Sequence, residues 1–169
     1  MKSLSSRQIF LTMFLVCAGL LGYGYYLQYA KGLEPCPLCI FQRVCYAIVG
    51  LAAMVAAIHN PYGLGKRFYA AISGIGAIGG LLFAGRQTWL QHLPPDQVPS
   101  CGPGLEYWMK TLSFGETVRK VFRGTGDCAE VTWTFLGLSI AEWSLLCFAA
   151  LLVGSLLALC GARMKQTRA

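Results

Sequence analysis

Four stretches of this chain are almost free of charge and long enough to cross a lipid bilayer. They occupy residues 9–29, 40–58, 68–85 and 143–160. At about 1.5 Å per residue, such a run covers roughly the 30 Å of a hydrocarbon core. Inside lipid no water is available to backbone amides, so each run must satisfy its own hydrogen bonds as a helix. The expected fold is an all-α membrane protein. It is an antiparallel four-helix transmembrane bundle within a single membrane domain spanning 1–169. Composition agrees: 12% of residues are charged and 56% hydrophobic, whereas a soluble domain carries about 25% charged residues. The first run is longer than the apolar core of a secretory leader, and no A-x-A site follows it. It reads as a retained span, with Tyr23, Tyr25, Tyr26 and Tyr29 forming an aromatic belt at its end.

Charge orients the bundle. Lys2, Arg7, Lys66, Arg67, Arg163, Lys165 and Arg168 lie in the two tails and the 59–67 turn, with no acidic residue among them. All seven acidic residues lie in or beside the loops at 30–39 and 86–142, balanced there by the remaining basic ones. The net charge of +7 therefore belongs to one face. The positive-inside rule makes that face cytoplasmic, with both termini on it, and puts the two other loops outside. A charge distributed in this way does not form a nucleic-acid patch. The long outer loop is irregular where Pro94, Pro95, Pro99 and Pro103 fall. From Glu106 to Phe122 it reads as one or two short interfacial helices, with Trp108 and Leu112 on one face and Val118, Val121 and Phe122 continuing the pattern.

The third run contains Gly74-Ile75-Gly76-Ala77-Ile78-Gly79, a formal match to G-x-G-x-x-G. That fingerprint binds a dinucleotide only between a strand and a helix. In the middle of an apolar helix, these glycines and the Gly76/Gly80 pair instead allow close helix packing.

The eight cysteines divide by position. Cys17, Cys45, Cys147 and Cys160 sit in or beside apolar runs and read as small, inert hydrophobes. Cys36, Cys39, Cys101 and Cys128 lie in the outer loops, where disulfides persist. They allow two structural bridges or redox chemistry. Zinc is disfavoured because Cys101 and Cys128 do not make a second C-x-x-C, so no metal site is expected. Ile40 after Cys39 excludes a c-type haem motif. The redox reading rests on Cys36-Pro37-Leu38-Cys39 opening a helix, where the dipole favours a thiolate. Arg43 lies one turn after Cys39 on the same face, just inside the bilayer boundary. A charge there is costly and points to function, with snorkelling to the headgroups as its plain alternative. A dithiol that turns over needs a two-electron acceptor, and a lipid-soluble quinone can reach the Cys39–Arg43 face from within the bilayer.

The phrases Glu34-Pro35-Cys36-Pro37-Leu38-Cys39 with Gln42-Arg43, Cys101 after a proline-containing loop, and Gly126-Asp127-Cys128-Ala129-Glu130 with Trp133, Phe135-Leu136-Gly137-Leu138 and Trp143, resemble the DsbB family over most of the chain. The resemblance implies a quinone-dependent thiol oxidoreductase of the bacterial inner membrane. It would reoxidise a periplasmic DsbA-like partner of thioredoxin fold and pass electrons to ubiquinone or menaquinone of the membrane pool. Cys101–Cys128 would meet the partner, and Cys128 would exchange with the Cys36–Cys39 disulfide at Cys36. Cys39 would be left as a thiolate beside the quinone, with Arg43 stabilising the quinone oxygen. His92 resembles a family histidine near the quinone. Gln42, also assigned to that site, stands where the family can have an acid. The alternatives are a vitamin-K-epoxide-reductase-like oxidoreductase and a non-enzymatic scaffold with structural disulfides. The Gly-Asp-Cys-Ala-Glu phrase speaks against the first.

Overall fold

The computed structural model describes residues 5–94, 96–102 and 104–166, with side chains as far as Cys160. The sequence expectations for Lys2, Pro95, Pro103 and Arg168, and for the Arg163 and Lys165 side chains, lie outside this description.

Four long helices make the bundle: α1 (Ser6–Lys31), α2 (Pro37–His59), α3 (Leu64–Gln91) and α7 (Ile140–Gln166). Each contains a segment long and apolar enough to cross a membrane. Local chemistry sets their ends. Ser5 and Gln8 form a reciprocal capping box at the start of α1, and Gly32 closes it in the left-handed region at φ 67°. Asn60 closes α2 at φ 44°. Neighbouring helices pack in the order α1–α2–α3–α7, and the contact that closes the ring, α1 with α7, is the sparsest.

The helices overrun the apolar runs. α2 begins at Pro37, α3 continues past Gly85 to Gln91, and α7 begins at Ile140. Hydropathy marks where lipid ends, while a helix persists until its backbone bonds are interrupted. Arg86, Gln87 and Gln91 consequently belong to a helix rather than to the outer loop.

Packing at the centre depends on small residues, because lipid is as apolar as a leucine side chain and shape complementarity drives association. A Cβ on Gly76 would lie 2.9 Å from Val49 on α2, and one on Gly80 would overlap the Phe148 ring on α7. Phe148 in turn stacks on Tyr46 with centroids 4.0 Å apart. The glycine-rich stretch is thus a contact surface on two sides of α3.

The outer segment is built on the end of the bundle. α4 (Leu105–Thr111), α5 (Phe114–Arg123) and α6 (Gly126–Ala129) precede a two-stranded hairpin, β1 (Thr134–Phe135) and β2 (Leu138–Ser139). The hairpin was not anticipated; its turn residues Leu136 and Gly137 have φ of 53° and 80°, the two positive values that a type I′ turn requires. Trp108 and Val121 are buried in a small second core with Cys36, Leu38, Leu90 and Cys128. Phe122 is exposed beyond that core and meets Phe83 edge-on. Arg86 ties the segment down, donating from Nε to the Phe122 carbonyl at 3.0 Å and from Nη2 to that of Arg123 at 2.9 Å. These two acceptors are carbonyls at the C-terminal end of α5.

Candidate functional site

The Cys-x-x-Cys pair is the cap of α2. Cys36 is the N-cap residue, Pro37 occupies the first turn, and the Cys36 sulfur accepts from the Cys39 amide at 3.4 Å. Proline suits that position because its missing N–H would have no helical partner. The cap geometry brings the two sulfurs to 3.0 Å. A side chain from α3 completes the arrangement. Gln87 Nε2 lies 3.2 Å from the Cys39 sulfur and 3.4 Å from that of Cys36, and its Oε1 accepts from Gln42 Nε2 at 2.7 Å.

Cys128 reaches the same place from α6. It is fully buried beside Cys36 and Leu38 in the second core. A hydrogen bond from the Cys36 thiol pulls the Cys128 pKa down to about 6, against burial that acts the other way. The same bond, followed by the contact with Cys39, holds the Cys36 thiol protonated well above its ordinary range. Cys101 is exposed. A Cβ on Gly126 would stand 3.0 Å from both the Cys101 sulfur and the Pro99 carbonyl oxygen, so glycine here lets the two segments approach without crowding. Hydrogen bonding to Asp127 and the charge of that carboxylate push the Cys101 thiol pKa up. The four outer cysteines are therefore drawn into one succession: Cys101 against residues 126–127, Cys128 against Cys36, and Cys36 against Cys39. Among the described residues, no group of three or more His, Cys, Asp or Glu is placed to hold a metal ion.

Below the sulfurs, a cavity of about 260 Å³ extends between α1 and α7. Cys36, Cys39, Gln42, Arg43 and Gln87 line one wall, and Leu20, Leu27, Trp133 and Trp143 contribute apolar surface. Arg43 is anchored to α1. Its guanidinium donates to Gln28 Oε1 and to the Gly24 carbonyl, and it lies 5.0 Å from the Tyr25 ring centre. The hairpin supplies the outer rim. Trp143 donates to the Phe135 carbonyl at 3.0 Å, Trp133 stacks on Phe135, and Tyr23 meets Trp133 edge-on. Ser139 donates to Gln91 at 2.8 Å and joins β2 to the end of α3.

His92 is placed differently from the other expected residues. It caps α3, its side chain is 67% exposed, and it faces Glu142 at 3.7 Å without lining the cavity. Of the remaining cysteines, Cys17 and Cys45 are buried in the bundle, Cys147 lines the cavity, and Cys160 is exposed. Sequence reasoning did not single out Gln87 and Gln28. The available signal was an amide in an apolar helix, which in lipid must find a partner within the protein.

The sequence profile of the family described as Disulfide bond formation protein DsbB matches residues 6–158. The chain is 51% identical over 145 residues to Disulfide bond formation protein B of Hahella chejuensis, covering 86% of this chain and 88% of that one. It is 51% identical over 153 residues to the protein of that name from Methylococcus capsulatus, covering 90% and 93%. The Azoarcus relative is 47% identical over 159 residues, covering 94% and 95%.

Proposed function

The chain belongs to the DsbB family of disulfide bond formation proteins, and from that membership we propose that it is a thiol:quinone oxidoreductase of the bacterial inner membrane. It reoxidises a periplasmic disulfide donor of DsbA type and delivers the electrons to the membrane quinone pool. The observation that carries this reading is the succession of outer cysteines ending at a cavity between lipid-facing helices.

The residues suit a quinone. The cavity offers apolar walls, a cation held at its edge by Arg43, and a sulfur from Cys39. It adjoins the α1–α7 seam, the sparsest of the four neighbouring-helix contacts around the ring, which suits a ligand arriving through lipid. Arg43, Gln42 and Cys39 would hold the head group. His92, at the exposed rim, would act on the approach to the cavity rather than within it. The quinone, ubiquinone or menaquinone, supplies a two-electron acceptor when bound.

The polarity of exchange follows from the thiols. A partner thiolate attacks the exposed Cys101 of a Cys101–Cys128 disulfide, forming one S–S bond and expelling Cys128. Attack at Cys101 is favoured because it is the exposed sulfur of the two, and because the lower-pKa thiol leaves faster while Asp127 holds the Cys101 thiol up. The Cys128 thiolate then attacks Cys36 of the Cys36–Cys39 disulfide and expels Cys39. The partner's second thiol resolves the mixed disulfide at Cys101. Its freed thiol in turn displaces Cys36 from Cys128 and restores the first disulfide. The partner has then lost two electrons and two protons, and the Cys36–Cys39 pair holds them as a dithiol.

Reduced protein reconstituted in lipid tests the assignment. Added quinone should restore the Cys36–Cys39 disulfide. Cys39→Ser should abolish this, and Arg43→His should slow it roughly tenfold or more, as expected for losing a charged hydrogen-bond donor. A reduced pair that stays reduced in the presence of quinone would leave the outer cysteines as structural staples.

A further inference from the structure

Gln87 is in an unusual position for a neutral side chain. It is 4% exposed, comes from a different helix than the Cys-x-x-Cys pair, and has both cysteine sulfurs within hydrogen-bonding distance. Its amide has a defined orientation. Gln42, itself 3% exposed, donates its Nε2 to Gln87 Oε1 at 2.7 Å. That contact makes Oε1 the acceptor end and turns the Gln87 NH₂ toward the sulfurs.

We propose that Gln87 tunes the redox equilibrium of the Cys36–Cys39 pair toward the dithiol, and that Gln42 is the positioning residue that keeps its amide the right way round. The proposal rests on the reading of Cys36–Cys39 as a redox pair. Both ends of the amide favour the reduced form. Oε1 lies 3.4 Å from the Cys39 sulfur and takes the proton of a thiol, using the lone pair that Gln42 leaves open. Nε2 donates to a thiolate. A disulfide has no S–H to give, and its sulfurs accept only weakly. The pair gains from Gln87 when it holds two electrons, whichever protonation state Cys39 is in, so Gln87 makes it a stronger oxidant toward Cys128. The amide does this without adding a charge inside the bundle, where a charge is costly.

Other ionisable groups face the pair. Cys36 and Cys128 approach Cys39 from the cap and from α6. Arg43 lies one turn along α2 and is bound to α1. Glu34, Asp127 and Glu130 line the outer part of the cavity, and Tyr46 and Cys147 its inner part. From α3, the group that meets the sulfurs is the neutral Gln87.

The test is an equilibrium, independent of quinone. Full-length protein, freed of quinone, is equilibrated with glutathione redox buffers, quenched in acid and alkylated after denaturation. The Cys36–Cys39 peptide is then scored for disulfide by mass. Gln87→Met should raise the disulfide-to-dithiol ratio about tenfold, a shift of about 30 mV toward more reducing potential. Gln87→Leu, which likewise offers neither a donor nor an acceptor, should shift it about as far. Gln42→Met should shift it in the same direction by less. Unchanged ratios in folded Gln87→Met and Gln87→Leu protein would overturn the proposal while leaving the relay intact. A wild-type pair that never appears as a disulfide across the buffers would overturn both.

Discussion

Cys128 is the residue whose acidity reports most directly on the reduced site. With Cys36 and Cys39 held as a dithiol, the Cys36 thiol donates to it and makes it acidic. With a pKa near 6 in place of the ordinary 9.0, it is largely thiolate at neutral pH and becomes protonated as pH falls through about 6. The ultraviolet thiolate absorbance of reduced protein, differenced against Cys128→Ser, should show the same midpoint. Removing the donor with Cys36→Ala should move that midpoint upward, toward 9.0. A midpoint unmoved by Cys36→Ala would mean that another group sets the acidity. Residue identities were legible in part. The four cysteines of the two loops and Arg43 stand out as types that an exposed loop or lipid does not hold without a reason. Gln87 did not stand out, since its meaning comes from a contact with residues on another helix.

At the scale of elements, α3 carries the strictest packing. Gly80 leaves room for the Phe148 ring, and a side chain there overlaps it. Gly80→Leu should lower stability by about 1–3 kcal/mol, as overpacking of a filled interior does, and should do so without changing the thiol acidities at the bundle end. Thermal unfolding in detergent, compared with the Cys128 titration, separates the two effects. The four long helices were readable from hydropathy alone, because lipid leaves the backbone no other choice. Their ends were less readable. Arg86 and Gln87 look like the start of a loop by composition, yet the helix runs on to Gln91 and carries them onto the α5 carbonyls and the paired sulfurs. The hairpin at Leu136-Gly137 was missed because leucine rarely adopts positive φ and gives no turn signal of its own.

At the scale of the whole molecule, alternating helices place residues 32–36 and the 92–139 segment at one end and the 60–63 turn at the other. By the positive-inside rule the first end is expected to face the periplasm. Alkaline phosphatase fused after Gly63 should be inactive, and fused after Lys110 active. The reverse pattern would invert the protein and put the relay in a reducing compartment. Family and general activity followed from short phrases whose spacing survives in three dimensions. The order of sulfurs, by contrast, depends on how the 92–139 segment folds over the bundle, with Cys101 set against Gly126 and Cys128 buried beside Cys36. That order is the account's central claim, and stoichiometric turnover tests it most directly. Purified protein in lipid, with ubiquinone and an excess of a reduced thioredoxin-fold partner, should form one quinol for each partner disulfide. Serine at any of Cys36, Cys39, Cys101 or Cys128 should stop the coupled reaction. Quinone that stays oxidised while saturating reduced partner is present would contradict the account.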